Sequence, residues 1–258
     1  MKRGYFSVSV FTVAMTFFYL PLLVLIVFSF NESRTMNWSG FSLVWYQKLF
    51  FDSRDLWSAF GKSVLIAFSS ASVSTVLGTL GAIGLHWYQF KLKRYVQLTT
   101  FLPLILPEII MGVSLLIFFA GVHLKLSLLT IFIAHTTFNV PFVLLMVLSR
   151  LEEFDFSIIE AAYDLGAREI DTLLRVIVPV SLPGILAGFL TAVTLSLEDF
   201  VITFFVAGPG SSTLPLYVYS MIRFGVSPVI NALSVVLIVG TAVLAFCTRN
   251  AFKYIANK

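Results

Sequence analysis

Residues 156–183 read FSIIEAAYDLGAREIDTLLRVIVPVSLP and form a charged stretch between two long apolar segments. Apolar residues recur at helical spacing on both sides of Gly166: Ile158, Ile159, Ala162 and Leu165 before it, and Ile170, Leu173, Leu174 and Ile177 after it. This spacing predicts two short amphipathic helices. Gly166 can end the first in a left-handed conformation, and Pro179 and Pro183 suit the first turn of a following helix.

The rest of the chain is dominated by apolar residues. Hydrophobic residues make up 59% of the 258 positions and charged residues 12%, whereas a soluble domain carries about 25% charged residues. The composition is typical of a polytopic membrane protein. The single cysteine, Cys247, excludes an intramolecular disulfide and a cysteine-cluster metal site, and the histidines have no metal-ligand spacing, so we expect no metal.

Six segments are long and apolar enough to cross a bilayer, which takes about 20 residues. They lie near 8–30, 62–87, 98–121, 127–149, 182–207 and 229–249. We therefore expect an all-α membrane protein with six transmembrane helices in a single domain, 1–258. The first segment is longer than the core of a signal peptide and no Ala-x-Ala site follows it, which favours an uncleaved first span.

The distribution of basic residues predicts the orientation. With the N-terminus inside, 11 of the 17 Lys and Arg residues fall in inside segments and 6 in outside segments. The positive-inside rule therefore places both termini, and the loop 150–181, in the cytoplasm. The net charge of +4 is explained by these loops and does not call for nucleic acid.

The charged loop carries the pattern of a known family. Glu160-Ala161-Ala162, then Gly166, then Pro179 resemble the EAA loop of bacterial ATP-binding-cassette (ABC) importer permeases, in which Glu-Ala-Ala is followed by three residues, Gly, nine residues and Ile-x-Leu-Pro. Val176 and Val178 depart from that pattern conservatively. An ordinary solvated amphipathic loop is the alternative, but it explains neither the complete spacing nor the position between the fourth and fifth spans.

The resemblance implies a type I importer permease (MetI-like) fold, in which this loop is a coupling helix that docks on a cytoplasmic ATPase. The residues that would dock are Glu160, Ala161, Ala162, Asp164, Leu165 and Gly166. It implies four kinds of partner: a homologous second permease, two ATPase subunits, a periplasmic substrate-binding protein and membrane lipid. Over nearly the whole chain the sequence looks most like the second permease of spermidine/putrescine importers, so the expected location is the bacterial inner membrane and the expected cargo a polyamine.

Three carboxylates lie inside predicted spans: Glu108, Glu198 and Asp199. Ionisable residues at membrane depth are costly, and they indicate function by default. On straight helices Glu108 would lie about 15 Å and Glu198 about 24 Å from the cytoplasmic end. The interiors of the predicted spans contain no Lys or Arg that could neutralise these carboxylates. A cationic cargo would neutralise them transiently. Pro103 and Pro107 should kink the third span beside Glu108.

The pathway and structural interpretations of these carboxylates compete. Neighbouring residues on a helix point about 100° apart, so one of Glu198 and Asp199 should face the pathway. The other would pair with a neighbouring subunit or with a hydroxyl such as Thr194 or Thr203. The pathway interpretation is favoured for Glu198, and for Glu108 and Asp199 it is balanced by a structural one.

Four aromatic residues are candidates for cation–π contact with the cargo on the outer side: Trp45, Tyr46, Tyr217 and Tyr219. For the tyrosines, a role in the aromatic belt at the membrane interface is favoured over cargo contact.

Two other functions are weaker. An ion-coupled secondary transporter would explain the carboxylates, but no inverted repeat is visible. An intramembrane enzyme lacks a metal cluster or a nucleophile–base pair. Gly61-Lys62-Ser63 resembles the end of a phosphate loop, but Leu56 stands where that loop needs Gly. We therefore expect no cofactor in this chain, with ATP and magnesium bound by the ATPase partner. A permease for another small solute stays open.

Overall fold

The computed structural model describes residues 4–35, 37–153, 155, 157–223 and 227–256. Across these residues the regular structure is helical, apart from an isolated antiparallel bridge between Asn31 and Phe41. The all-α prediction is confirmed. In chain order the described helices are α1 (Tyr5–Ser29), α2 (Val44–Gln47), α3 (Arg54–Trp87), α4 (Lys93–Ile105), α5 (Glu108–Gly121), α6 (Leu128–Glu152), α7 (Ser157–Asp164), α8 (Glu169–Thr172), α9 (Val178–Glu198), α10 (Val201–Val206), α11 (Leu214–Arg223) and α12 (Val229–Ala256). Two π-helical turns, Lys48–Asp52 and Leu173–Ile177, follow α2 and α8.

Several described helices are long and apolar enough to cross a membrane. Four pass this test: Phe6–Ser29, Arg54–Trp87, Leu128–Glu152 and Glu169–Glu198. Helices α4 and α5 make a fifth crossing if they count as one broken span, since they meet at a bend of 112°. The apolar part of α12, Val229–Val243, is shorter. The count of six spans stays a prediction.

Two predicted spans are interrupted in the structure. The segment 98–121 is not one kinked helix, because α4 ends at Ile105 and α5 begins at Glu108. The segment 182–207 also divides, since α9 ends at Glu198 and α10 begins at Val201. The straight-helix depth of Glu108 therefore does not hold.

The described residues fall into two compact units, 1–55 with 218–258 and 56–217. Whether the whole chain is one domain stays a prediction. In the first unit α1 packs on α12, and α12 also contacts α2. The described side chains of α1 are almost all exposed, as expected of a helix that meets lipid or another subunit.

The second unit is built around α6 and α9, which pack closely along their length. Small residues allow this approach. A Cβ on Gly188 of α9 would lie 3.1 Å from Val143 Cγ1 of α6, and one on Gly78 of α3 would lie 2.8 Å from the same side chain. A face of small residues on α3 is buried and serves as a packing surface: Ser70, Ser74, Gly78 and Ala82.

Candidate functional site

The break between α4 and α5 places one carboxylate at a helix start. Leu106 and Pro107 are extended, with ψ of 138° and 135°. Proline lacks an N–H and disfavours the helical conformation of the residue before it, which explains the interruption. Glu108 is the first residue of α5, where unpaired N–H groups and the helix dipole favour a negative charge.

The break between α9 and α10 places two more carboxylates beside it. Glu198 ends α9, and Asp199 is extended with ψ of 121°. The Asp199 carboxylate accepts the backbone N–H groups of Ile202 (3.2 Å) and Thr203 (2.8 Å), so it caps the start of α10. An aspartate that binds backbone N–H groups in this way competes with continuation of a helix.

The two breaks lie at one cavity of about 400 Å³. The structure brings together the three carboxylates singled out from the sequence, Glu108, Glu198 and Asp199, among the lining residues. Glu108 and Glu198 are exposed, whereas Asp199 is 8% exposed. None of the described lining residues is basic. The cavity therefore concentrates negative charge, and the cargo-pathway role of these residues stays a prediction.

Aromatic rings also line this cavity, and the sequence analysis did not single them out. Phe138 and Phe142 of α6 and Phe200 at the α9–α10 break are among the lining residues. Their ring faces can contact a cation or cover its methylene groups. Phe138 and Phe142 are four residues apart and so share one face of α6, a pattern that could have drawn attention to them.

Asp199 also belongs to a buried polar cluster that the sequence analysis missed. His135 of α6 is fully buried, and its Nε2 lies 3.1 Å from Asp199 Oδ2. Its Nδ1 lies 2.6 Å from Ser196 Oγ. The Thr203 hydroxyl donates to Asp199 Oδ2 at 2.7 Å, as anticipated for one of the two adjacent carboxylates. Thr194, the other hydroxyl considered, donates to the Leu190 carbonyl instead.

Two of the four predicted aromatics have contacts within the first unit. In the first unit, Trp45 is buried and donates from Nε1 to the Asn31 carbonyl at 2.7 Å. Tyr46 Oη lies 2.8 Å from Ser29 Oγ. These contacts give both rings a structural role. Tyr217 and Tyr219 lie on α11, and Tyr217 is not among the residues that line the cavity of the second unit. A pathway role for all four stays a prediction.

The coupling loop forms the two predicted short helices. Gly166 follows α7 with φ of +82°, which confirms the left-handed stop. The Ala167 N–H donates to the Ala162 carbonyl at 3.0 Å and the Gly166 N–H to Tyr163 at 2.8 Å, which is the Schellman pattern of a helix end. Ile159 is buried and anchors α7 to the core of the second unit.

The rest of α7 is turned outward. Glu160, Ala161, Asp164 and Gly166 are exposed, Ala162 is half-buried, and Leu165 is 90% exposed. An apolar side chain presented so fully at a fixed turn is suited to insertion into a partner. The coupling role of these residues stays a prediction.

The second helix of the loop continues into the following long apolar helix without a break. Helix α8, the π-helical turn and α9 form one 30-residue helix from Glu169 to Glu198, about 45 Å long at 1.5 Å per residue. The Tyr88 hydroxyl, just beyond α3, hydrogen-bonds the Glu169 carboxylate. That contact raises the pKa of Tyr88 above its ordinary value. One continuous helix therefore joins the loop 150–181 to the cavity.

Comparison with known proteins identifies relatives over most of the chain. Residues 74–258 match the family described as binding-protein-dependent transport system inner membrane component. The chain is 38% identical, over 96% of its length and 93% of the relative, to the spermidine/putrescine transport system permease protein PotC of Escherichia coli (strain K12). It is 37% identical, over 95% of its length and 89% of the relative, to the putrescine transport system permease protein PotI of the same strain.

Two solved structures share the fold. A chain of a bacterial ABC transporter that imports the acidic polysaccharide alginate matches with a TM-score of 0.73 at 14% identity, over 96% of this chain and 95% of that one. A chain of the MetNI methionine ABC transporter matches with a TM-score of 0.61 at 21% identity, over 75% of this chain and 91% of that one. At these identities the likeness concerns the fold, and it confirms the predicted importer-permease fold.

Proposed function

This chain belongs to the family of binding-protein-dependent transport system inner membrane components, and we propose that the cargo it admits is a polyamine such as spermidine or putrescine. The observation that carries the proposal is the cavity between the two helix breaks, lined by Glu108, Glu198 and Asp199 and by no basic residue among those described. The cargo named for the relatives PotC and PotI supports the same assignment.

A polyamine matches this lining in charge and in shape. Its ammonium groups are separated by methylene chains, so it needs several acceptors at intervals with apolar surface between them. Carboxylates at both helix breaks supply the acceptors, and Phe138, Phe142 and Phe200 supply apolar and π-rich surface. A neutral sugar or an anion would leave the negative charge of the cavity lining uncompensated, which is costly where water is excluded.

Transport would be driven by separate subunits. The expected assembly holds this permease, a homologous second permease, two ATPase subunits that bind ATP and magnesium, and a periplasmic substrate-binding protein. The exposed face of α7 around Leu165 would insert into an ATPase subunit on the cytoplasmic side, with both termini of the chain on that side as well. Closure of the ATPases would move the loop, and the helix from Glu169 to Glu198 would carry that movement to the cavity.

The experiment is uptake by the complete complex reconstituted in vesicles, with spermidine, putrescine, a neutral sugar and an anion as cargo. We expect ATP-dependent uptake of the two polyamines alone. The change Glu198→Gln removes one cavity charge and should lower polyamine uptake at least about tenfold, the size of a lost hydrogen bond to a charged group. Glu152→Gln, the same change at an exposed carboxylate outside the cavity lining, is the matched control.

Other results would point elsewhere. Uptake of the sugar or the anion with no response to polyamines would reject the cargo assignment. Uptake that persists with an ATPase unable to hydrolyse ATP would favour an ion-coupled secondary transporter. Equal uptake by Glu198→Gln and the wild type would remove Glu198 from the pathway.

A further inference from the structure

His135 is a fully buried histidine whose two ring nitrogens are both engaged. Nε2 faces Asp199 Oδ2 at 3.1 Å and Thr203 Oγ1 at 2.9 Å. The carboxylate can only accept, and the Thr203 hydroxyl proton is directed to the same carboxylate oxygen. Nε2 therefore carries a proton and donates it to Asp199, while Nδ1 lies 2.6 Å from Ser196 Oγ.

The two oxygens of Asp199 are consequently unequal. Oδ2 receives three donors: the Thr203 N–H at 2.8 Å, the Thr203 hydroxyl at 2.7 Å and His135 Nε2 at 3.1 Å. Among the described residues, Oδ1 receives one donor, the Ile202 N–H, at 3.2 Å. Each carboxylate oxygen has two lone pairs, so Oδ2 is saturated by its three donors, whereas Oδ1, with one donor, retains one acceptor position.

The other two cavity carboxylates are held differently. Across the described residues, the side chains of Glu108 and Glu198 make no hydrogen bond or ion pair, and both residues are exposed. They can follow the cargo by changing rotamer. Asp199 cannot, because its capping bonds to α10 and its contact with His135 fix the carboxylate from two sides.

We infer that His135 is a positioning residue, which holds Asp199 so that Oδ1 is the fixed acceptor for one ammonium group of the cargo. This inference rests on the proposed function and deepens it. Asp199 then sets where one end of the cargo lies, while Glu108 and Glu198 adapt to amines at other distances. His135 touches no cargo and acts only through Asp199.

A pair of variants tests this role. Gln can place an amide N–H near the position of Nε2, whereas the shorter Asn reaches only the position of Nδ1. We expect His135→Gln to keep KM for spermidine uptake within about twofold of the wild type. His135→Asn should raise KM about tenfold, as for a lost hydrogen bond to a charged group, with the maximal rate within about twofold. A merely structural role would affect the assembly of both variants alike and would not separate them by KM.

The same His135 variants made together with Asp199→Asn test whether His135 affects KM through Asp199. There the difference between Gln and Asn at position 135 should vanish, because the carboxylate that His135 orients is gone. Equal KM values for the two variants in the wild-type background, or a difference that persists with Asp199→Asn, would overturn the inference.

A second pair keeps the test decisive if His135 variants fail to assemble. Thr203→Val removes the hydroxyl donor to Oδ2 and nearly preserves shape, whereas Thr203→Ser keeps the donor. A raised KM confined to Thr203→Val supports the fixed carboxylate, and equal KM values in this pair would overturn it. Failure of the proposed function is recognised separately, as the absence of polyamine uptake by the wild-type complex.

Discussion

Gly166 offers the sharpest test of the coupling loop, because its role can be isolated to the backbone. Its φ of +82° lies in the left-handed region, and a Cβ built at this position meets no atom within 4 Å. The change Gly166→Ala therefore introduces no clash with other residues. Its cost is that of an L-residue in a left-handed conformation, about 1–2 kcal/mol.

That cost acts on the turn that presents Leu165. A bias of 1–2 kcal/mol shifts an equilibrium by a factor of about 5–30, so much of the population would lose the two hydrogen bonds that close the end of α7. Leu165 would then leave the position from which, in the proposed coupling, it enters the ATPase. We expect the ratio of cargo-stimulated to basal ATPase activity, and uptake, to fall severalfold.

The assay compares four complexes purified with their partner subunits. Gly166→Asn should recover most of the lost coupling, because Asn tolerates the left-handed region better than Ala does. Gly61→Ala, in the interior of α3 with open space at the Cβ position, should cause no loss, since Ala is the better helix former. Full coupling in Gly166→Ala, or an equal loss in Gly166→Asn, would refute the reasoning.

Three other perturbations probe packing and the loop. Gly78→Ala should destabilise the second unit by about 1–3 kcal/mol through overpacking, because the new Cβ would lie 2.8 Å from the Val143 side chain; an unchanged thermal midpoint in detergent would contradict this. The backbone N–H of Ser157 donates to the Asp155 carboxylate and holds the pKa of that carboxyl below its ordinary value of 3.8. Protection of the α7 amides from hydrogen exchange should therefore be complete above pH 3.8 and should fall as the pH is lowered through the depressed pKa of Asp155. In the variant Asp155→Asn this pH dependence should disappear. Hydrogen bonding to Glu169 raises the pKa of Tyr88, so this contact should persist at neutral pH and be lost as the tyrosine ionises in alkali. The variant Tyr88→Phe should weaken the coupling of ATPase activity to uptake without changing KM for polyamines. A change in KM alone would contradict a coupling role for Tyr88.

The sequence predicted the loop more accurately than the spans. Helical spacing and the position of Gly166 were enough for α7 and its left-handed end, because both depend on neighbouring residues. The two breaks were not predicted as breaks. Pro107 was expected to kink a helix, and the structure shows a 112° bend. The second break depends on Asp199, which caps α10 and so competes with a continuous helix. The spacing of apolar residues does not reveal such a cap.

The site was predicted in part for a similar reason. Any carboxylate inside a long apolar segment stands out, so Glu108, Glu198 and Asp199 could be selected without knowing that they share a cavity. His135 is also an ionisable residue inside a long apolar segment, but the three histidines were considered only as metal ligands, and their spacing excluded that role. Its partner lies 64 positions away on another helix, and only tertiary packing brings the two together.

The helix breaks also explain how the membrane tolerates this charge. Irregular backbone at membrane depth is stable only where it lines a cavity or is covered by protein, and both breaks line the same cavity. Asp199 caps α10 by accepting two of its backbone N–H groups, and Glu108 lies in the first turn of α5, where the helix dipole favours a negative charge. The negative charge is thus sustained by the backbone rather than by a resident Lys or Arg, and a buried cation would otherwise compete with the cargo. A Leu106→Lys change at the cavity lining should therefore act as a tethered competitor: it should abolish polyamine uptake in an assembled complex, whereas Leu106→Met should not. Normal uptake by the lysine variant would show that the carboxylates do not meet the cargo.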